Sequence, residues 1–521
     1  MPTDHPPAFR RCLLLLAAAA LAAPAPAWAE EAPSLTLDSA LRTAIGRNPA
    51  VREQESVVEQ DAGQLMQASG AFDWNVTASL GAQRVRTPEL GPFGTVPVSD
   101  STQLTYSLGV GKLFRNGVSI EPNLEAGTSR VLPGAAPTVG SSQVGFVIVV
   151  PLLRGLGVDD TGAVEAAERG DVKVAQLLYQ NALASQALAT ATAYWASRAA
   201  DEEFAVQSDV EKAAARLVNS TKALVDSSVF PPAFLLQAQA NLRAKETTRI
   251  EAELSAKSAR IALGQALGLS AQEIDETPGP SEEFPAVAPM IVIDAPAKAA
   301  VVREALASRY DMIASRESLV PLRILERQAR LELRPQLNLT LNEGYSGLST
   351  GPGLAGPLNH NVTGLNSIAG LSLAWPVNNT FQRGLLRQQE GDLKEGEAQT
   401  ELLSQSVAGY AILAVEQVRL LSDEVRASSD TVAIAKKAVS AQQDRIRMGE
   451  GTILDEVTLE NLEADARIDL IEAEAQYATA VAQLRFAVGQ VFDRPAPTAS
   501  SFSLTNLARL PNLDAINPAA R

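Results

Sequence analysis

The chain has 521 residues, 46% hydrophobic and 20% charged, the balance of a folded protein rather than a disordered one. A net charge of −16 without a clustered Lys/Arg tract argues against a nucleic-acid partner. One cysteine and two histidines leave little for disulfides, thiolate chemistry, His-dependent triads or His-rich metal sites. No catalytic residue, cofactor or metal is therefore expected, and paired-carboxylate catalysis finds no constellation.

Residues 1–29 read as a secretory signal peptide. Arg10 and Arg11 form its positive end, Leu13 to Ala23 its apolar core, and Ala27-Trp28-Ala29 a small-residue cleavage site. Cys12 lies inside this run, too early for a lipoprotein cleavage site, and His360 is the one histidine beyond it. No later segment approaches the roughly 18 uncharged apolar residues of a membrane-spanning helix. A membrane span would have to be made of strands.

A first repeat is expected over residues 30–269. Thr36 or Asp38 can cap a helix that breaks at Asn48-Pro49 and runs on to about Ala71. From Phe72 the period changes to two. Trp74, Val76, Ala78 and Leu80 alternate with polar partners, and strand-like runs follow at Gln103–Leu113, Val118–Arg130 and Gln143–Val150. Arg115-Asn116-Gly117 is a tight hairpin signal between the second and third runs. The other connections, Thr87 to Ser101 and Val131 to Ser142, are long. The order long, tight, long within strands 72–150 is that of an outer-membrane barrel with short turns on one side; the alternative is a soluble sheet with uneven loops.

A helical hairpin is predicted over 158–268. Its leading helix runs from about Val158 to Ser227, ~100 Å at 1.5 Å per residue. Val206, Val210, Ala213, Leu217, Ser220 and Leu224 carry the 3/4 spacing of a coiled-coil seam, and Ala175, Ala182, Ala189 and Ala196 form a small-residue stripe. Pro231 and Pro232 suit the first turn of the returning helix, and Gly268 its C-terminal cap.

A linker spans 270–296, and the plan then repeats over 297–490. A helix is expected from about Ala297 to Glu332, strands between 335 and 376, and a hairpin over 383–489. In that hairpin Val418, Val425, Val432, Val439 and Ile446 recur every seventh residue, a strict heptad. It turns at Met448-Gly449-Glu450-Gly451-Thr452. The returning helices superpose directly: Ile250-Glu251-Ala252-Glu253 on Ile471-Glu472-Ala473-Glu474, and Ala266-Leu267-Gly268 on Ala487-Val488-Gly489, at an offset of 221. The leading segments superpose at 261, with Arg309-Tyr310-Asp311-Met312 over Asn48-Pro49-Ala50-Val51. This is an internal duplication. Residues 491–521 form a Pro/Ala/Asn-rich tail lying against the helices. The fold class is α+β, mainly α, with long antiparallel coiled-coil hairpins and strands that can close only through oligomerisation, since a spanning sheet may leave no open edge. The physical reading is an oligomeric conduit with a membrane-embedded end.

Several segments also carry a family likeness. Leu35-Thr36-Leu37-Asp38-Ser39-Ala40-Leu41 through Asn48-Pro49 resembles the opening of the TolC-type outer-membrane factor family. The tip from Arg447 to Val457 is similar to that family's second hairpin tip, and Pro151-Leu152-Leu153-Arg154-Gly155 and Trp375-Pro376 resemble its strand-to-helix junctions. The resemblance implies a homotrimer whose β-barrel lies in outer-membrane lipid and continues into a periplasmic α-barrel. It implies a channel in a tripartite efflux or type I secretion system, with a periplasmic adaptor and an inner-membrane pump as partners. It also implies that the hairpin tips close the tube and meet the adaptor. Four strands in the first half, where the family commonly has two, depart from its pattern; so does a first tip with Ser227-Ser228 in place of glycine. On this footing Asp444, Arg445, Arg447, Asp455 and, as first-half analogue, Asp226 are gate candidates. Met448, Gly449, Glu450, Gly451 and Thr452 are docking candidates. An ordinary solvated helix end is the alternative for each. Trp74, Trp375, Phe146 and Tyr106 are candidates for an interfacial aromatic girdle. A periplasmic adaptor or a coiled-coil scaffold without its own channel is the competing function.

Overall fold

The computed structural model describes residues 35–88, 98–132, 137–228, 231–287, 295–351, 363–448, 450, 452–492 and 507–511. The signal-peptide reading and His360 fall outside the described residues. Helix α1 (Leu37–Arg47) starts with the Thr36 hydroxyl accepting from the Ser39 amide, so Thr36 is the cap rather than Asp38. Asn48 has extended backbone (ψ 128°), its side-chain oxygen accepts from the Ala50 amide at 2.9 Å, and Pro49 opens α2 (Pro49–Gly70). Strands β1 (Trp74–Pro88), β2 (Val98–Leu113), β3 (Ser119–Leu132) and β4 (Val139–Pro151) follow. They run further into the Ser/Thr/Arg-rich ends than side-chain alternation alone indicates, because ladder hydrogen bonds are made by the backbone whatever the side chain.

The expected leading helix is two pieces, a single turn α3 (Val158–Thr161) and α4 (Ala163–Asp226), parted by Gly162. Helix α5 (Pro232–Ala266) returns with Pro232 in its first turn. In the second half the expected single helix from Ala297 to Glu332 is three: α6 (Ala295–Ser308), α7 (Tyr310–Glu317) and α8 (Leu319–Leu331). Arg309, extended at ψ 133°, breaks the first pair just as Asn48 does. Pro321, which lacks an amide hydrogen and is tolerated only in a first turn, accounts for the break at Ser318. It sits against Gly170 of α4, where an added Cβ would lie 3.2 Å from the proline ring. Strands β5 (Gln336–Thr350) and β6 (Thr363–Ala374) lead to α9 (Thr380–Arg447) and α10 (Ile453–Ala487).

The duplication is exact where it matters for packing. Ala40 and Val301, Ala44 and Ala305, and Val51 and Met312 are buried pairs at the offset of 261. Leu263 and Leu484, and Leu267 and Val488, are buried pairs at 221. Two large apolar cores result among the described residues. One gathers Leu41, Leu183, Tyr194, Trp195 and Leu263; the other gathers Val301, Val415, Val418, Tyr477 and Leu484. Gly268 and Gly489 end the returning helices at φ +72° and +68°, each against the broken helix of its own repeat. The linker lies on the first core through Tyr194, whose hydroxyl donates to Leu35 O and accepts from the Ser281 and Glu282 amides. Val491, Phe492 and Leu507 of the tail are buried in that core too.

The heptad of α9 holds at four of its five positions: Val418, Val425, Val432 and Val439 are buried, and Ile446, next to the tip, is half-buried. The seam of α4 does not fall where its sequence suggests. Gln207, Ala214 and Thr221 are buried at seven-residue spacing, while Val206, Val210, Ala213, Leu217 and Leu224 flank them half-buried and Ser220 is exposed. Of the alanine stripe only Ala175 is buried, and Ala189 and Ala196 are exposed. The reason is partnership: towards the tips α5 and α10 both close on α4, so the middle of its buried face is crowded and takes small or polar residues.

Candidate functional site: the strand wall and the hairpin tips

The six strands of the described residues form one antiparallel sheet in sequence order, β1-β2-β3-β4-β5-β6. Ala78, Leu108, Leu124, Val144, Tyr345 and Leu365 stand side by side in one row across the sheet. The next row, on the opposite face, is Ser79, Ser107, Glu125, Gln143, Ser346 and Gly364. One face is apolar and bare, with Leu108, Leu124, Val144, Tyr345 and Leu365 all exposed. The other is polar, and a cavity of about 680 Å³ lies over Thr105, Glu125, Gln143 and Ser346. An apolar face left open to water is the inverse of a soluble sheet and the arrangement of a membrane barrel.

The register also carries a tilt. From Trp74 it leads through Lys112, Ile120, Ile148 and Leu341 to Ala369, five residues before the end of β6 at Ala374. Five residues of ~3.3 Å set against five strand spacings of ~4.8 Å give a tilt of about 35°, within the range of closed barrels. Among the described residues β1 and β6 each pair on one side only, and they run antiparallel to each other. Trp74 and Trp375 are exposed at the helix-proximal end, whereas Tyr106 and Phe146 lie further along the strands on the apolar face.

Strands and helices are joined rigidly. The β2–β3 turn, closed by Gly117 N–H to Phe114 O at 2.8 Å, rests on the segment after β4, so closely that a Cβ on Gly117 would meet Gly155 O at 1.9 Å. Arg115 donates to the buried Glu165 of α4 at 2.6 and 2.9 Å, and Glu165 also accepts from Arg169. The guanidinium of Arg115 holds the Glu165 carboxyl below its usual range against the cost of burial, with Arg169 adding to the effect.

At the far end of the helices, Thr452 caps α10: its hydroxyl accepts from the Asp455 amide and donates to Asp455 Oδ2 at 2.6 Å. Asp455 is thereby engaged in the cap. Glu450 N–H donates to Arg445 O at 2.9 Å and Met448 N–H to Asp444 O at 3.1 Å, so the end of α9 is closed by its own backbone. Asp444, Arg445, Met448, Glu450 and Asp226 are exposed. Arg447 is the last residue of α9, and Gly449 and Gly451 fall outside the described residues. Ser228 of the first tip takes φ +59°, the left-handed conformation usually left to glycine.

Sequence reading did not reveal the seam between the hairpins. A cavity of about 220 Å³ there is lined by Arg216, Lys245, Gln443, Glu460 and Glu463 among others. Burial pushes the Glu460 carboxyl above its ordinary range, with Glu456 adding and Arg216 opposing. Nearer the tips a second cavity, about 170 Å³ and mainly apolar, lies between Leu217, Phe234, Leu454 and Val457. These residues are half-polar, half-apolar in sequence and meet only across two hairpins. No periodicity within one helix marks them.

A bare apolar sheet face, a tilted open sheet and paired hairpins of ~100 Å define the fold of an outer-membrane channel. The CmeC outer membrane channel of Campylobacter jejuni matches at a TM-score of 0.67 and 16% identity, over 89% of this chain and 87% of that one. VceC of Vibrio cholerae matches at 0.63 and 14%, over 87% and 96%, and the open state of the Neisseria gonorrhoeae MtrE channel at 0.59 and 18%, over 87% and 88%. Identities this low speak for the fold. Residues 301–490, most of the second repeat, match the family model described as outer membrane efflux protein. No curated protein matches the chain by sequence.

Proposed function

We propose that the chain is the outer-membrane channel of a tripartite efflux or type I secretion system in a Gram-negative cell. Three copies close their sheets into one barrel of eighteen strands, three times the six found among the described residues of one chain, and their hairpins form a water-filled tube through the periplasm. The bare apolar face of a sheet with two open, antiparallel edges is the observation that carries this reading. Neither edge nor face can be satisfied by one copy, and hydrogen-bonded closure in lipid satisfies both. A periplasmic adaptor and an inner-membrane pump open the conduit from below, and the chain itself performs no chemistry on its cargo.

The closing end is assigned to the tips. Asp444, Arg445, Arg447, Asp455 and Asp226 form the gate, and Met448, Gly449, Glu450, Gly451 and Thr452 the adaptor-docking turn. Rings of charge at a constriction govern ion passage. Purified full-length protein should insert into planar bilayers and show discrete, small conductance steps that charge reversal at Asp444 and Arg445 enlarges. Recovery of the protein in the soluble periplasm, with no conductance, would refute the channel; conductance unchanged by reversal would refute the gate alone.

A further inference from the structure

In a chain of net charge −16 the six strands hold only four basic side chains, Arg84, Arg86, Lys112 and Arg130. Three of them gather at the end of the sheet away from the helices, on the apolar face. The register sets Arg84, Thr102 and Arg130 side by side, and the next row of that face holds Arg86 beside Asp100. Asp100, 8% exposed, accepts from Arg84 Nε at 2.8 Å and from Arg86 Nε at 3.0 Å. One buried carboxylate thus fixes two guanidiniums, and Arg130 has no ion pair among the described residues. A depression of about 450 Å³ lies over Arg84, Arg130, Thr102 and Thr128, with Ala82 and Leu104 on its helix-proximal side.

Position decides what this group faces. Ten residues separate Trp74 from Arg84. At ~3.3 Å per residue and a tilt of about 35° that is a rise of roughly 27 Å, against an apolar band of about 25 Å in outer-membrane strands. The three guanidiniums therefore stand at the far edge of the band, at the level of lipid headgroups, with two more positive charges than Asp100 neutralises. A guanidinium fork is the match for a phosphate oxygen pair.

We infer that Arg84, Arg86 and Arg130 bind the phosphorylated headgroup of an outer-leaflet lipid, its acyl chains descending past Leu104 and Ala82. The inference rests on the channel reading above. Asp100 orients Arg84 and Arg86 toward the headgroup. Arg130, without an ion pair among the described residues, supplies the charge that the lipid completes.

The test is native mass spectrometry of the purified full-length protein in neutral detergent, titrated with bisphosphorylated lipid A and with its dephosphorylated form. Each basic residue near an anionic lipid surface is worth about fivefold in affinity, so the triple variant Arg84→Gln, Arg86→Gln, Arg130→Gln should retain lipid A on the order of a hundredfold less. Lys112→Gln, at the opposite end, should retain it as the wild type does. The dephosphorylated lipid should bind wild type and triple variant equally weakly. Equal retention of lipid A by wild type and triple variant overturns the site, and displacement of lipid A by millimolar inorganic phosphate overturns the lipid as its occupant. If the triple variant fails to conduct in phosphatidylcholine bilayers, Arg130→Gln alone, which breaks no ion pair among the described residues, should still lose about fivefold. A wild type that neither inserts nor conducts defeats the channel reading. A wild type that conducts while the variants keep lipid A defeats the headgroup site only.

Discussion

Replacing Gly268 or Gly489 by alanine should open the contact between the returning helix and the broken leading helix of the same repeat. Both glycines sit at positive φ, +72° and +68°, where an L side chain costs about 1–2 kcal/mol. Space is the second obstacle. A Cβ on Gly268 would lie 2.6 Å from Asn48 Cα and 2.8 Å from its nitrogen; one on Gly489 would lie 2.8 Å from the carbonyl carbon and oxygen of Ser308. Backbone cannot swing aside as a flexible side chain can, so overpacking adds about 1–3 kcal/mol. The sum, about 2–5 kcal/mol, corresponds to local opening roughly 30-fold to several thousandfold more frequent. Hydrogen exchange of the purified protein reads this directly in the peptides around Asn48 and Arg309. Gly63→Ala in α2, where nothing lies within 4 Å of the added methyl, is the control and should slow local exchange slightly. Exchange around Asn48 and Arg309 as slow in the alanine variants as in the wild type would refute the reasoning for both repeats.

Three further outcomes are expected. Burial, with Glu472 beside Glu203 and Glu202 beside Glu474, raises both carboxyls above their ordinary values where α4 meets α10. A raised folded-state value means that the folded protein holds the proton more tightly than the unfolded chain; these groups cost stability above the raised value, and the cost fades as pH falls towards the ordinary one. The Glu203→Gln, Glu474→Gln double variant should therefore melt above the wild type at about pH 8 and level with it at about pH 4; a gap that widens on acidification would contradict this. Thr452→Val removes the hydroxyl that caps α10 and should cost about 1 kcal/mol, visible as faster exchange in the first turn after Thr452 and not in the core around Tyr477. Ser228→Gly relieves the left-handed backbone of the first tip (φ +59°) and should stabilise that turn by about 1 kcal/mol, seen as slower proteolytic nicking between α4 and α5.

Much of this architecture is legible in the residues. The α9 heptad, the Asn-Gly turn at Asn116-Gly117, the proline start of α5 and the two offsets of 221 and 261 are local or repetitive signals. Each depends on neighbours within a turn or a ladder, or on the chain compared with itself. Pro321 likewise marks a helix boundary that a reading of Ala297–Glu332 as continuous passes over. The α4 seam is different. Gln207, Ala214 and Thr221 are unremarkable in sequence, and they are buried because α5 and α10 close on that side of α4.

The candidate site divides in the same way. Thr452 and Asp455 form a capping pair that spacing alone suggests, whereas Glu460 acquires its raised carboxyl only when the packed hairpins bury it, against the opposing pull of Arg216. The arginines at the sheet's far end were plain as residues, but nothing in one strand says that Arg84 and Arg130 are neighbours with Thr102 between them. Sequence by itself determined the period of each element, its turns and the duplication, because these follow from the conformation of a few adjacent residues. Tertiary structure alone decided which face of α4 is inside, which charges stand together and how far the strands are staggered, because those depend on register between segments that the chain brings together from far apart.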